Sequence, residues 1–468
     1  MGSLELSPAH FRRLADRVST LAEEWLEGLD SRPIAPSITG AASDAMFSEG
    51  LPEQGLGDAA LDALRPFMEG SRAGNARFLA YVFGSGEPVG VLGDYVASVV
   101  NQNVTAWRSA PTVVSLERSV IRSLASAVGC EGFTGSFAGG GSSANLMALA
   151  MARESLAPAN EDGAPSGVVY ASAEVHMSIP KAVALLGLGR KNLRLIPTDA
   201  QWRMRPDALA RAIAEDKAAG LRPLAVVATA GTVNTGAVDP LTAVAALTRE
   251  HGLWMHVDGA YGALAAMAFP ERFEGLGLAD SLSMDAHKWL YQPADCGVLL
   301  FRDAKAARRA FSFTGDYARA LNADPVEGFA FFDESMELSR RARALKVWLS
   351  VRFHGLAAFR EAIRRDVRNA ERLEALVRDT AGLELRSPAT LSAVCFRYTG
   401  GLPDAGLDDF NTRLLARINR RGRVYISNAT LEGRFFLRAC FVNHRTTPGD
   451  VATVVHEVLA AAEELRAS

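Results

Sequence analysis

The sequence predicts an α/β fold with a mixed, mostly parallel sheet, followed by a smaller α+β domain. Two observations carry this prediction. Between about residues 90 and 351, short apolar runs alternate with segments of helical periodicity. Such alternation favours a mostly parallel sheet covered by helices. From about residue 352 the pattern changes to a charged helical stretch, then mixed strands and a final helix.

Six segments are strand candidates in the large domain. They are residues 168–171, 193–197, 224–228, 253–257, 281–284 and 297–301. Several lack polar–apolar alternation, which is typical of strands buried on both faces. Asp239 and Pro240 predict the N-cap and first position of a helix, and Gly252 predicts its end. In the small domain, residues 392–398 and 435–440 are strand candidates.

The N-terminal segment has a different character. Apolar residues recur at helical spacing over residues 10–29, which predicts a helix. Residues 31–57 are rich in Pro, Gly and Ser, which predicts an extended arm. Such an arm cannot bury itself, so we expect a homodimer in which it lies on the partner. The expected division is an N-terminal helical arm (1–88), a large domain (89–351) and a small domain (352–468).

The composition excludes several classes of function. The 468 residues carry a formal net charge of −3, so no basic field is available for nucleic acid or an anionic membrane. The four cysteines are scattered without a CxxC pair or metal-ligand spacing, which favours a reduced, cytoplasmic protein without a metal site. Residues 1–29 lack the apolar run that is typical of a signal peptide. We also expect no membrane-spanning segment, because no run approaches about 20 apolar residues.

Lys288 is the most informative residue of the chain. It follows the strand candidate 281–284 and is flanked by His287 and Trp289. Enzymes that use pyridoxal phosphate (PLP) need a lysine amine in such a place, because it holds the cofactor aldehyde as an imine ready for exchange with a substrate amine. Taken alone, Lys288 is more simply a strand-end lysine in a salt bridge.

Asp258 is the second residue that indicates a PLP site. It follows the apolar run 253–257, at the carboxyl end of a strand, where ligands of open α/β sheets bind. PLP acts as an electron sink only while its ring nitrogen is protonated, and a nearby carboxylate favours that state. A lone acid here could equally cap a helix or close a turn. The pair of Asp258 and Lys288 is far more specific, and it predicts a PLP site.

A glycine-rich loop at residues 139–145 precedes a helical run at 146–156. Gly141 would let the backbone approach a phosphate, and Ser142 would add a hydroxyl beside the positive end of the helix dipole. The loop matches neither the dinucleotide-binding nor the Walker pattern. By itself it could be only a tight turn.

Two further residues follow strand candidates. His176 could stack on the cofactor ring and contact the reacting carboxylate, although a lone histidine is more often a partly buried structural residue. Thr232 would place a small hydroxyl near the edge of the cofactor.

These segments together resemble the group II PLP-dependent amino-acid decarboxylases, the family of aromatic-amino-acid, histidine and glutamate decarboxylases. The likeness runs from about residue 70 to the C-terminus. Its motifs are Asn75-Ala-Arg-Phe-Leu-Ala-Tyr81, Asn101-Gln-Asn103, Ala110-Pro111, Leu116-Glu117, the glycine-rich loop, His176, His256-Val-Asp-Gly-Ala-Tyr261, Asp285-Ala-His-Lys-Trp289, the stretch from Leu338 to Lys346, Leu437-Arg438 and Asn443-His-Arg-Thr446.

The resemblance implies a fold-type I, aspartate aminotransferase-like architecture and an obligate homodimer with sites at the interface. It implies that Lys288 binds PLP, that Asp258 pairs with the ring nitrogen and that His176 stacks on the ring. The remaining cofactor contacts that it implies are Gly141, Ser142 and His287 at the phosphate, with Thr232 and Ala260 along the cofactor. The implied reaction converts an L-amino acid, aromatic or related, to its amine and carbon dioxide through an external aldimine and a quinonoid.

Three departures from the animal aromatic-amino-acid enzymes bear on this expectation. Asn75 and Ala76 replace a His-Pro pair. Counting back from the Arg340–Arg341 pair, Phe331 falls at the tyrosine that donates the Cα proton, and Phe has no proton to donate. The predicted substrate pocket contains Tyr81, but also Asn103 and Thr105 at positions that are apolar or aromatic in those enzymes.

Three alternatives stay open. Relatives that lose a proton-handling residue become aldehyde synthases, which decarboxylate and then oxidatively deaminate, and Phe331 would favour that outcome unless another hydroxyl such as Tyr317 serves. A decarboxylase of an acidic or polar amino acid would suit Asn103 and Thr105. A PLP-binding regulator without catalysis is the least favoured, because Lys288, Asp258 and His176 are all present.

Overall fold

Seven strands form the sheet of the large domain. A computed structural model describes residues 4–163, 167–313 and 324–467. The strands are β1 (Thr134–Ala138), β2 (Val168–Ser172), β3 (Leu193–Ile196), β4 (Pro223–Thr229), β5 (Trp254–Asp258), β6 (Ser281–Asp285) and β7 (Gly297–Phe301). Their order is β1-β7-β6-β5-β4-β2-β3, and only β7 runs antiparallel to its neighbours. The predicted mixed, mostly parallel sheet is confirmed, with all six strand candidates in it.

Strand β1 was not among the strand candidates, and its composition explains why. The strand is short and contains Gly135 and Ser136, so no apolar run marks it. A Cβ atom on Gly135 would lie 2.1 Å from the carbonyl oxygen of Leu299 on β7. The close pairing of β1 with β7 therefore requires the glycine that weakens the strand pattern.

The parallel strands bring their last residues to one edge of the sheet. Thr229, Asp258 and Asp285 end β4, β5 and β6. At the same edge, β1 ends at Ala138, paired with Gly297 at the start of the antiparallel β7. Carboxylates and the glycine-rich loop thus meet where ligands of open α/β sheets bind.

Fifteen α-helices surround the two sheets in the described part of the chain. They are α1 (Pro8–Glu27), α2 (Gly40–Ala45), α3 (Leu64–Glu69), α4 (Pro88–Val100), α5 (Pro111–Ala127), α6 (Gly141–Leu156), α7 (Ser178–Leu185), α8 (Pro206–Ala218), α9 (Leu241–His251), α10 (Ala286–Trp289), α11 (Ala304–Phe311), α12 (Arg343–His354), α13 (Leu356–Asp379), α14 (Leu407–Arg421) and α15 (Pro448–Ala467). The helix predicted over residues 10–29 is α1. The helix expected from residue 146 already begins at Gly141, inside the glycine-rich loop.

The predicted N-cap role of Asp239 is wrong. Helix α9 begins at Leu241 with no side-chain cap, and Gly252 ends it as predicted, in the left-handed conformation. The Asp239 carboxylate instead accepts hydrogen bonds from the backbone N–H of Met204 at 2.6 Å and of Thr229 at 2.7 Å. Burial raises the pKa of Asp239 to about 6. The residue ties the end of β4 to the segment before α8.

The small domain is built on a four-stranded antiparallel sheet. Its strands are β8 (Leu383–Ser387), β9 (Ala393–Tyr398), β10 (Ser427–Leu431) and β11 (Arg434–Cys440), in the order β10-β11-β9-β8. Leu79 joins this domain, because its N–H donates to Tyr425 and its carbonyl accepts from Cys440. The predicted boundary at residue 351 falls inside α12, which continues to His354.

Candidate active site

A cavity of about 250 Å³ lies at the strand-end edge of the large sheet. Loops that follow five strands of that sheet form its wall, so the topology itself gathers the lining residues. They are Gly139, Gly140, Gly141, Ser142, Asn145, Glu174, His176, Thr229, Gly231, Val233, Asp258, Ala260, Tyr261, Asp285, His287 and Lys288.

Lys288 lies on the one-turn helix α10, directly after β6. Its side chain is 15% exposed, and its Nζ lies 3.0 Å from Oδ2 of Asp285, which ends the strand. The next residue, Trp289, is fully buried and stacks on Tyr261 with ring centroids 5.8 Å apart. A Cβ atom on Gly84 would lie 2.2 Å from the His287 carbonyl oxygen, so the segment around Gly84 packs tightly against this turn. These contacts hold the Lys288 amine at the cavity wall.

Asp258 is 4% exposed and ends the central strand β5. Its Oδ2 accepts a hydrogen bond from Nδ2 of Asn145 at 2.9 Å. Its Oδ1 accepts from the Ser283 hydroxyl and the Ala260 N–H, both at 3.2 Å. Three donors from three different segments therefore fix the direction of this carboxylate.

His176 lies in the turn between β2 and α7. Its Nδ1 accepts a hydrogen bond from the Ser178 N–H at 3.3 Å and lies 2.9 Å from the Ser178 hydroxyl. Burial lowers the pKa of His176 below its ordinary value. The imidazole is therefore neutral at physiological pH, with its hydrogen-bonded nitrogen turned toward α7.

The glycine-rich loop and the N-terminus of α6 form an anion cradle. Gly140 has a φ of +135°, which favours glycine, and a Cβ on Gly141 would lie 2.6 Å from Cβ of Ala260. The loop can therefore approach the cavity floor only without side chains. The first N–H groups of α6 and the Ser142 hydroxyl are available to an anion there. His287 lines the same end, and burial lowers its pKa.

The cavity fits PLP by the chemistry of its donors and acceptors. The Lys288 amine suits the aldehyde of the cofactor, and the buried Asp258 carboxylate suits its ring nitrogen. The anion cradle at the N-terminus of α6 suits its phosphate. Among the described residues, neither Thr229 Oγ1 nor Asp285 Oδ1 has a hydrogen-bond partner, although both atoms are buried. Unpaired buried polar atoms are costly, and a polar ligand in the cavity would supply their partners.

Seven predicted residues share this cavity, but Thr232 does not line it. The seven are Lys288, Asp258, His176, Gly141, Ser142, Ala260 and His287. Thr232 is fully buried, and its hydroxyl lies 2.9 Å from that of Thr235 and accepts from the Ala237 N–H. Its hydroxyl stabilises the turn, while Thr229, Gly231 and Val233 line the cavity at this point.

The three predicted substrate-pocket residues lie outside the cavity of a single chain. The Tyr81 side chain is half exposed, and its hydroxyl lies 3.5 Å from Nη1 of Arg72. Asn103 is exposed, and its side chain accepts from the Arg340 N–H. The carbonyl of Thr105 accepts from the N–H of Phe331. Their role in substrate binding stays a prediction that requires a second chain.

Phe331 also lies apart from the cavity. Its side chain is 0% exposed, its ring packs edge-on to Phe329 at 4.9 Å, and the Arg340 guanidinium lies 4.2 Å above it. A residue at the proton-donor position must reach the substrate, and this ring is enclosed by its own chain. The geometry therefore does not support the assignment of Phe331 to that position. Tyr317, the other candidate, lies outside the described residues.

We expect Phe331→Tyr to weaken folding without changing the reaction products. The added hydroxyl would enter a fully buried site beneath Arg340, which typically costs about 1–3 kcal/mol. Urea unfolding should show this loss, and the ratio of amine to aldehyde should equal that of the wild type. A shift in that ratio would restore Phe331 to the active site.

Three further residues, to which the sequence motifs assigned no role, contribute to the site. Asn145 bonds to Asp258, Asp285 contacts Lys288, and Glu174 lines the cavity with its Oε2 accepting from Asn234. Burial raises the pKa of Glu174. The three-residue spacing of Asp285 and Lys288 could have predicted their contact, because one helical turn brings such residues together. Asn145 and Glu174 become visible only through the fold.

Comparison with known proteins agrees with this geometry. Residues 52–399 match the family model of the pyridoxal-dependent decarboxylase conserved domain. An aromatic-L-amino-acid decarboxylase of Bacillus atrophaeus is 35% identical, with 100% of this chain and 98% of the relative covered. A phenylacetaldehyde synthase of Petunia hybrida is 30% identical, with 92% of this chain and 90% of the relative covered.

A solved structure gives the same result. The crystal structure of Oryza sativa TDC with PLP and tryptamine superposes with a TM-score of 0.92 at 28% identity, covering 99% of this chain and 100% of that one. The match to the family model spans most of the chain. The protein therefore belongs to the pyridoxal-dependent decarboxylase family and is a PLP-dependent enzyme of fold-type I that decarboxylates an amino acid.

Proposed function

We propose that this enzyme converts an aromatic or related L-amino acid to its amine and carbon dioxide. The observation that carries the proposal is the convergence of Lys288, Asp258 and His176 with the anion cradle of α6 on one cavity. Lys288 would hold the cofactor, Asp258 would face its ring nitrogen, and the cradle with His287 would hold its phosphate.

When bound, PLP supplies the electron sink that accepts the electron pair left at Cα by the departing carbon dioxide. Lys288 would release the cofactor to the substrate amine, and the Asp285 carboxylate, 3.0 Å from Nζ of Lys288, would hold the freed lysine amine at the cavity wall. Asp258 would keep the proton on the ring nitrogen. The neutral His176 would cover the reacting centre and donate a hydrogen bond to the substrate carboxylate from its outer nitrogen.

The charges of the cavity favour an aromatic or other non-acidic substrate. Glu174, Asp258 and Asp285 line it, and Lys288 is its only lysine or arginine among the described residues. Among the described residues, an acidic substrate side chain would find no guanidinium in this cavity to pair with, and Glu174 would disfavour it. The similarity to an aromatic-L-amino-acid decarboxylase over the whole chain supports the same choice. A decarboxylase of an acidic amino acid is therefore the weaker alternative.

An aldehyde synthase on the same scaffold is the second candidate. The 30% identity to a phenylacetaldehyde synthase favours it. Phe331 does not favour an aldehyde synthase, because its ring is enclosed in the core and lies apart from the cavity. We therefore place the amine first as the product.

One assay tests both candidates. The purified enzyme with PLP should release carbon dioxide and an equal amount of amine from at least one aromatic amino acid in a panel that includes acidic and diamino acids. An oxygen electrode should record no uptake. Aldehyde and oxygen consumption in equal amounts would instead establish the synthase. Exclusive turnover of aspartate or glutamate would reject the aromatic class.

The exposed apolar surface supports the proposed homodimer. Six apolar side chains of α4 recur in two adjacent columns of one helix face, and all are exposed in the single chain. They are Val91, Leu92, Tyr95, Val96, Val99 and Val100. Helices α1, α2 and α3 contain no buried residue. Water disfavours a contiguous apolar stripe. Because Asn103 and Thr105 follow α4 directly, a dimer through this face would carry them toward the partner's cavity.

We expect the active enzyme to sediment at twice the mass of the chain at assay concentration. Val96→Glu should weaken the dimer and lower activity together, because it places a charge in the apolar stripe. Ala214→Glu, on an exposed face of α8, is the matched control and should change neither property. A fully active monomer would refute the proposed dimer.

The proposed location is the cytoplasm. All four cysteines are buried free thiols, in agreement with the expectation of a reduced protein. In the residues that the structure describes, no helix has both the length and the apolar character needed to cross a membrane.

A further inference from the structure

Asn145 lies at the centre of a buried chain of hydrogen bonds beneath the cavity. Its Nδ2 lies 2.9 Å from Asp258 Oδ2, and its Oδ1 lies 2.9 Å from Nε2 of His256. The opposite nitrogen of His256 lies 2.9 Å from the Ser281 hydroxyl, which accepts from Nε1 of Trp254. All five residues are buried. The chain runs beneath the sheet edge from Trp254 to the carboxylate assigned to the cofactor.

The carboxylate end of this chain fixes the directions of its hydrogen bonds. A carboxylate accepts from the Asn145 amide nitrogen, so the amide oxygen faces Nε2 of His256 and can only accept from it. The proton of the neutral His256 ring therefore lies on Nε2, and Nδ1 is left to accept from the Ser281 hydroxyl, whose oxygen accepts from Trp254. Burial lowers the pKa of His256 to about 4, so this ring stays a neutral donor near pH 7.

A second branch connects the same amide to His176. Nδ2 of Asn145 also donates to the Ser178 hydroxyl at 2.9 Å. That hydroxyl lies 2.9 Å from Nδ1 of His176, which already accepts from the Ser178 N–H. Because the Ser178 N–H can only donate, Nδ1 of His176 is an acceptor, and the Ser178 hydroxyl, whose oxygen accepts from Asn145, is free to donate to the same nitrogen. The proton of the His176 ring is left on Nε2, the nitrogen that α7 does not engage.

We propose that Asn145 is a positioning residue that sets the hydrogen-bonding state of both Asp258 and His176. One amide group aims the carboxylate and, by donating to the Ser178 oxygen, turns the hydroxyl proton of Ser178 toward Nδ1 of His176, which supports the tautomer that the Ser178 N–H favours. Neither a carboxylate nor an apolar side chain can do both, because the site needs two N–H donors and one acceptor on one group. This inference rests on the proposed roles of Asp258 and His176 toward PLP.

The first test uses the cofactor-free enzyme with ¹⁵N-labelled histidine. Long-range ¹H–¹⁵N spectra, assigned with His176→Gln and His256→Gln, should show both rings as neutral Nε2–H tautomers at pH 7. In Asn145→Asp, the pKa of His256 should be higher than in the wild type. The new carboxylate would accept the hydrogen bond from Nε2 of His256 and favour the charged ring. A wild-type His176 that carries its proton on Nδ1 would overturn the inference.

The second test measures cofactor affinity and turnover. Asn145→Ala and Asn145→Asp should each raise the PLP dissociation constant, measured by fluorescence quenching, about ten- to a hundredfold, the usual loss for a hydrogen bond to a charged group. Turnover should fall while KM stays within about threefold, since binding of the substrate side chain is untouched. Values within twofold of the wild type for both variants would refute a positioning role.

Asn411→Ala provides the matched control. Asn411 is also fully buried and makes three hydrogen bonds, but only to the backbone of Tyr398 and Leu407 in the small domain. Its loss should lower the melting temperature without changing cofactor affinity or the histidine tautomers. An equal loss of PLP affinity in this variant would attribute the Asn145 effect to general loosening and reject the proposal. Correct tautomers without turnover of any amino acid would instead reject the proposed function alone.

Discussion

Lys288→Ala should abolish both turnover and the visible absorbance band of the lysine-bound cofactor. The reason is chemical, because the variant removes the only lysine that lines the cavity in the described residues. Lys288→Arg distinguishes the loss of the imine-forming amine from the loss of positive charge. An arginine keeps a positive charge beside Asp285, yet its guanidinium cannot form the imine at working pH. Both variants should be inactive, although Lys288→Arg should fold with near-normal stability.

Chemical labelling tests the same assignment without a mutation. Borohydride should fix the cofactor to the lysine that holds it, and peptide mapping should find the label on Lys288. Lys181→Ala is the control and should keep both band and turnover, since Lys181 does not line the cavity. Lys346 is buried against Asp94 and the Pro293 carbonyl, so it has no access to the cofactor. A label on Lys181 or Lys346 would overturn the site.

Most strands of the large sheet were predictable because they are buried on both faces. Their apolar runs leave a local signal, as in 224–228, whereas β1 needs Gly135 for contact with β7 and so loses that signal. Asp258 and Lys288 were found for a related reason. Asp258 ends β5 and Lys288 lies on the turn directly after β6. Parallel strand ends must converge at one edge of the sheet.

Residues whose role depends on distant partners were not predictable in this way. Asn145 contacts Asp258 across 113 positions of sequence, and no spacing rule gives that contact. Asp239 has the local pattern of an N-cap, yet its carboxylate binds backbone N–H groups 10 and 35 residues away. Phe331 was placed by counting along a loop, a procedure that carries no information about burial. Tertiary contacts decided all three.

Asp258→Asn should lower turnover by about two orders of magnitude or more while PLP still binds. This is the usual scale for losing a preorganised charge at a reacting centre. The amide has nearly the same shape, but it cannot hold a proton on the cofactor ring nitrogen by charge. It also presents an NH₂ group to a site where Asn145, Ser283 and Ala260 all donate. Near-normal turnover would exclude the electron-sink role of Asp258.

The pH dependence of this variant distinguishes lost charge from lost structure. Without the carboxylate, the ring-nitrogen proton must come from solvent, so residual turnover should rise as the pH falls, relative to the wild type. Asp366→Asn is the control for a buried acid replaced by its amide. Asp366 is buried outside the cavity, its pKa is raised well above the ordinary value by burial, and its carboxyl contacts Tyr291 and Asn443. A neutral amide should replace such an acid with little change in turnover or pH profile. Equal losses of turnover in both variants would mean that the effect of Asp258→Asn is structural. A loss of turnover that is confined to Asp258→Asn, and that becomes smaller as the pH falls, identifies this carboxylate as the group that keeps the cofactor protonated.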